Sequence, residues 1–119
     1  MEITRIQNVY TVVRNMQESR EFYRTALGLS VKFEDRLEWC QFGVGGSNFA
    51  LSSIAEGPLN SRGSVVVFEA PSLEGIESRV RAAGGTLMAS RSMGAHGSVM
   101  TFADPEKNLF QVFAKSSQA

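Results

Sequence analysis

The chain repeats itself. Glu18, Glu21, Ala26 and Gly28 recur at one constant offset as Glu74, Glu77, Ala82 and Gly84. Around each copy the signals keep the same order: an apolar strand, an amphipathic helix, a glycine, then further strands. Such a repeat constrains the fold strongly, because equivalent units bury equivalent surfaces. A sheet carrying a helix on one face leaves its other face open. Two open faces, paired, can enclose a cavity, so the repeat predicts a binding site before any reactive residue is considered.

The elements follow from local pattern. Residues 5–13 are rich in β-branched and aromatic types and predict a strand. Asn15 is placed to cap a helix in which Phe22, Tyr23, Ala26 and Leu27 recur at helical spacing, with Glu18, Arg20, Glu21 and Arg24 on the wet side. Gly28 ends it. Strands over 29–36, 37–44 and 48–54 come next, with a polar break at Asp35-Arg36 and a turn at Gly45-Gly46-Ser47. Turn formers over 55–62 mark a linker. The second unit opens with the apolar run Ser64-Val65-Val66-Val67-Phe68. Pro71-Ser72 then starts a helix with Ser72 as its N-cap, Gly75 being unusual inside it, and Gly84-Gly85 closes it. Strands near 86–91, 98–103 and 108–114 finish the unit. In the turn Asp104-Pro105-Glu106-Lys107-Asn108, proline suits the second position and Asn tolerates left-handed angles. Ser116 to Ala119 read as a frayed end. The order is βαβββ twice, an α+β fold in a single domain over 1–119: one module at about 3–54, a second at about 63–115.

Bulk properties narrow the function classes. The 119 residues carry equal numbers of acidic and basic side chains, 12 of each, which argues against a nucleic-acid face. No apolar run is long enough to span a membrane. The N-terminus lacks a signal-peptide pattern and there is a single cysteine, Cys40, so the expected compartment is the cytoplasm. Cys40 lies inside a predicted strand and reads as a packing residue.

Two stretches carry a family resemblance. Val12-Val13 followed by Ser19-Arg20-Glu21-Phe22-Tyr23-Arg24-Thr25-Ala26-Leu27-Gly28-Leu29 resembles the first strand and helix of the vicinal oxygen chelate superfamily. That group includes glyoxalase I, bleomycin-resistance proteins, fosfomycin-resistance enzymes and extradiol dioxygenases. Residues Gly97 to Val112, with Phe102-Ala103-Asp104-Pro105-Glu106-Lys107-Asn108 at their centre, resemble its closing hairpin. The resemblance covers essentially the whole chain. It implies two βαβββ modules forming a cupped mixed sheet, and for small members a homodimer, with the cup built within one chain or across two. It does not fix the chemistry, since one fold hosts many activities.

Catalytic members of the superfamily hold a divalent metal in the cup. By the resemblance, its ligand positions fall here on Asn8, on Val65 (or Ser64, one residue earlier) and on Gln111. An additional glutamate in some members falls within Phe49-Ala50-Leu51-Ser52, which holds no acid. Two neutral amides and a valine do not offset the loss of a metal's water shell. The expectation is therefore no metal and no cofactor. His96, the only histidine, sits in the Gly94-Ala95-His96-Gly97 loop and reads as a rim group.

Strand alternation gives the lining of a metal-free cup. Asn8 would bring Ile6, Tyr10 and Val12 to its face, Gln111 would bring Leu109 and Phe113, and Val65 would bring Val67 and Glu69. Trp39 and Phe42 cannot share a face, and Trp39 is the better lining residue because its indole offers a stacking surface and one donor. Met100 and Ser52 are further candidates. The expected lining is thus Asn8, Tyr10, Trp39, Val65, Met100, Gln111 and Phe113. Such a cup suits a small-molecule binding protein that holds an apolar or aromatic ligand. Alternatives are a lyase, isomerase or dioxygenase-type enzyme of the superfamily, with Tyr10, Glu69 and His96 as acid–base candidates, or a sheet face closed by a partner chain.

Overall fold

The computed structural model describes residues 5–55 and 65–115. The linker from residue 56 onward, Ser64 and the tail from 116 lie outside the described residues. The first module comprises β1 (Val9–Val12), α1 (Met16–Ala26), β2 (Ser30–Asp35), β3 (Trp39–Val44) and β4 (Ser47–Ser52). The second comprises β5 (Val66–Glu69), α2 (Ile76–Ala82), β6 (Thr86–Ser92), β7 (Ser98–Ala103) and β8 (Leu109–Ala114), with a single 3-10 turn at Gly94–His96. Each module forms its own four-stranded mixed sheet, in the order β1-β4-β3-β2 and β5-β8-β7-β6. The first strand of each is parallel to the last and the other pairings are antiparallel. The expected α+β fold of two βαβββ modules is the fold observed.

Local chemistry sets most element ends. Asn15 caps α1, its side chain accepting from the Glu18 N–H at 3.0 Å, and Gly28 follows the helix at φ +68°. Three expectations change. β1 covers only Val9–Val12, because its ladder to β4 runs from Val9–Phe49 to Val12–Ser52 and Ile6 stays 79% exposed. α2 begins at Ile76, since Gly75 takes a left-handed conformation (φ +79°) that a helix interior does not allow. Ser72 instead accepts from the Glu74 N–H. In the β7–β8 turn Lys107, not Asn108, has the positive φ, which leaves the Asn108 side chain to bond Asp104 and the Val12 carbonyl.

The helix-covered faces of the two sheets meet. Phe22 and Tyr23 of α1 pack against Phe110 of β8, and Phe49 of β4 meets Phe68 of β5 with ring centroids 5.2 Å apart. Gly85 is required at this seam: a Cβ there would stand 2.9 Å from the Phe22 ring and 2.6 Å from Val80. Cys40 lies in the same core, where burial pushes its thiol up to about 11, as suits a packing residue.

Polar groups fasten the seam. The Tyr23 hydroxyl donates to Asp104 Oδ2 at 3.0 Å, and Asp104 also accepts from the Glu106 and Asn108 N–H groups and the Asn108 amide. The Glu106 carboxylate accepts from the backbone N–H groups of Arg14 and Asn15, both at 2.6 Å. Arg79 of α2 donates twice to the Ala26 carbonyl at the end of α1, where a cation meets the negative end of the helix dipole. The Asp-Pro-x-x-Asn turn therefore grips the β1–α1 junction of the other module.

Candidate functional site

With the helix-covered faces joined, the opposite faces of both sheets lie open, and the side chains on them follow from register. Cross-strand partners point to the same side. On the first sheet, Tyr10 stands beside Ala50 and Ala50 beside Gln41, while Val12, Ser52 and Trp39 form the next row. Phe33 and Asp35 continue these rows on β2. Tyr10 and Trp39 touch across β4, with ring centroids 5.2 Å apart and planes tilted by 57°. Together they cover Ala50 and Ser52, which are fully buried although no helix covers this face. Trp39 Nε1 donates to Gln41 Oε1 at 3.0 Å.

On the second sheet, Val67, Gln111, Thr101 and Ala89 form one row and Glu69, Phe113, Val99 and Arg91 the next. Gln111 donates to the Thr101 hydroxyl at 2.9 Å. Val65 and Val67 are 44% and 56% exposed and Leu109 is 46% exposed.

Of the expected lining, Tyr10, Trp39, Gln111 and Phe113 fall on the open faces. Asn8 and Val65 directly precede β1 and β5, and are thus equivalently placed in the two modules. Gln111 stands beside Val67 rather than Val65. Met100 is a correction. Its partner is the buried Val112, and it packs against the core on the helix-covered side, because Thr101, not Met100, shares the parity of Gln111. Phe42 is fully buried in the core, leaving Trp39 on the open face. Val67 and Glu69 lie on the open face, as alternation from Val65 gives, whereas Gln41 and Thr101 are additions: alternation from Trp39 gives Gln41, and the β7–β8 ladder sets Thr101 beside Gln111.

The carried-over metal positions do not fit a divalent ion. Asn8 and Gln111 are neutral, Val65 has no donor, and the stretch Phe49-Ala50-Leu51-Ser52, where an additional acid would fall, holds none. Among the described residues, no three His, Cys, Asp or Glu side chains come together. No hydrogen bond or ion pair joins any two of Tyr10, Glu69 and His96, and His96 is exposed in its 3-10 turn. A second concavity of about 280 Å³ lies at the module seam, between Leu27, Leu29 and Val44 on one side and Phe68, Ile76 and Arg79 on the other. Among the described residues, no helix is long and apolar enough to cross a membrane.

Comparison with known proteins agrees with this architecture. A glyoxalase-related enzyme from Fulvimarina pelagi superposes with a TM-score of 0.79 at 16% identity, covering 95% of this chain and 89% of that one. A glyoxalase/bleomycin resistance protein/dioxygenase family enzyme from Burkholderia phytofirmans gives 0.78 at 17%, covering 92% and 98%. A fosfomycin resistance protein variant from Listeria monocytogenes, in complex with Mn(II) and a dihydroxypropylphosphonic acid, gives 0.75 at 18%, covering 98% and 94%. At these identities the likeness is one of fold. No curated protein sequence matches the chain. A family model of the glyoxalase-like domain matches residues 8–113. The chain thus belongs to the glyoxalase-like family, within the vicinal oxygen chelate superfamily.

Proposed function

We propose that this protein binds an apolar or aromatic small molecule, without a metal, against its open sheet faces, and that a second copy of the chain completes the cup. The observation that carries this reading is the chemistry of the central strands. On the open faces β1, β3, β4, β7 and β8 present aromatic rings, aliphatic groups, hydroxyls and neutral amides, and carry no carboxylate and no cation of their own. Charged side chains on these faces come from the outer strands and strand ends, as Lys32, Asp35, Glu69 and Arg91, Lys32 reaching over Gly43 to the Asn48 amide oxygen. Such a surface rewards burial of apolar area and gives a metal ion nothing to replace its water.

The second copy is supported by exposure. Tyr10, Phe33, Val67, Met88 and Leu109 are each between 37% and 58% exposed. The helix-covered faces are already occupied by each other, so one chain leaves both open faces uncovered. Large exposed apolar patches mark interaction surfaces.

The test uses phenylnaphthylamine, an uncharged fluorescent dye, titrated into the whole chain in EDTA. Saturable binding is expected, with energy transfer from Trp39, the only tryptophan. Trp39→Leu should weaken binding about tenfold, read through the dye's own emission. Light scattering should give twice the mass of one chain. Absence of saturable binding, or binding that requires an added divalent ion, overturns the reading. A one-chain mass removes the second copy from it.

A further inference from the structure

Gln41 is unusual on the first open face because its orientation is dictated. An indole N–H can only donate. The amide atom 3.0 Å from Trp39 Nε1 is therefore the oxygen, and the amide nitrogen is turned away from the indole. Among the described residues no acceptor is bonded to that nitrogen. It is not a buried orphan either: among the described residues, the one buried side-chain polar atom without a partner is Ser19 Oγ. Gln41 thus holds out two N–H donors beside the Tyr10–Trp39 corner, on a half-buried residue in the middle of the sheet.

The surroundings restrict what meets those donors. Its row neighbours are Ala50 and Phe33. Lys32, on the neighbouring strand, donates to the Asn48 amide oxygen at 3.0 Å, in the Gly43 row and not in that of Gln41. A ligand charge placed over the row of Tyr10, Ala50, Gln41 and Phe33 would find no opposite charge within that row and would lose its hydration. A ring stacked in the aromatic corner brings its edge toward the amide. An edge without an acceptor would strip the amide of water and return nothing, at a cost that an acceptor avoids.

We propose that the ligand is an uncharged planar ring system bearing a carbonyl-type acceptor on its edge, and that the Gln41 amide donates to that acceptor. This rests on the cup reading above. It makes Gln41 a specificity-determining residue and Trp39 both a stacking wall and the group that fixes the amide's orientation.

The experiment compares three probes on the whole chain by equilibrium dialysis: chromone, an uncharged bicyclic ketone; naphthalene, its hydrocarbon counterpart; and naphthoate, its charged one. The wild-type chain should bind chromone about tenfold tighter than naphthalene, and naphthoate more weakly than chromone. Gln41→Leu removes the donors. Gln41→Glu keeps an acceptor for Trp39 but also offers no donor. Both variants should lose the chromone preference while binding naphthalene within about twofold of wild type. Equal wild-type binding of chromone and naphthalene, or a preference that survives both substitutions, overturns the donor role and leaves the cup reading standing. Naphthoate binding as tightly as chromone overturns the requirement for an uncharged ligand. Binding of none of the three overturns the cup reading and this inference together.

Discussion

The module seam and the open sheet faces use polar groups in opposite ways. At the seam, Tyr23 and Asn108 both donate to Asp104, Glu106 holds two backbone N–H groups, and Arg79 holds a helix-end carbonyl. On the open faces, the amides of Gln41 and Gln111 each make one side-chain bond, to a neighbour two or ten residues away in sequence, and retain capacity for more. The seam bonds its charged groups; the central strands of the faces are neutral and keep spare donors. A polar group with every valence met holds structure together, whereas one with spare donors on an apolar surface is equipped to recognise something else.

Substitutions should separate the two regions. The largest effect belongs to Asp104→Ala, which removes the acceptor for Tyr23, Asn108 and the Glu106 N–H and orphans a buried hydroxyl. A loss of about 3–5 kcal/mol is expected in urea unfolding. A loss below about 1 kcal/mol would show that the modules are held by aromatic packing alone.

Tyr23→Phe should cost about 1.5–3 kcal/mol, since only the bond to the carboxylate is removed. It also carries a pH signature. Burial, and then the charge and hydrogen bond of Asp104, hold the Tyr23 phenol well above its ordinary value. A raised value means that the fold favours the protonated phenol. Its contribution is complete below the ordinary phenol range and is lost as pH rises from there toward the folded-state value. Wild type should therefore lose stability above about pH 10, and Tyr23→Phe should fall less steeply there; parallel curves would break the assignment.

The smallest effect is expected on the open face. Gln111→Leu removes one neutral, half-exposed bond to Thr101 and should shift stability by under about 1 kcal/mol. A seam-sized loss would mean that this face is structural and erase the contrast.

The sequence by itself determined the two βαβββ modules, the Asn15 cap, the Gly28 helix end and the choice of Trp39 over Phe42 as a surface residue. Each depends on neighbours close in the chain: a cap on the next turn, a strand face on parity. Family membership was also legible, because the residues around Phe22-Tyr23 and Asp104-Pro105 are spaced by the fold itself. Only the tertiary structure gave those residues their task, as Tyr23 and Asp104 lie in different modules and their bond has no local signal. It also moved Met100 to the covered side and brought Gln41 into view, since which parity faces which layer is set by pairing between strands distant in sequence. And it alone decided that the modules join by their helix-covered faces and leave the others open. Local pattern says that each sheet has an apolar side to bury; which surface covers it is settled by the packing of whole modules.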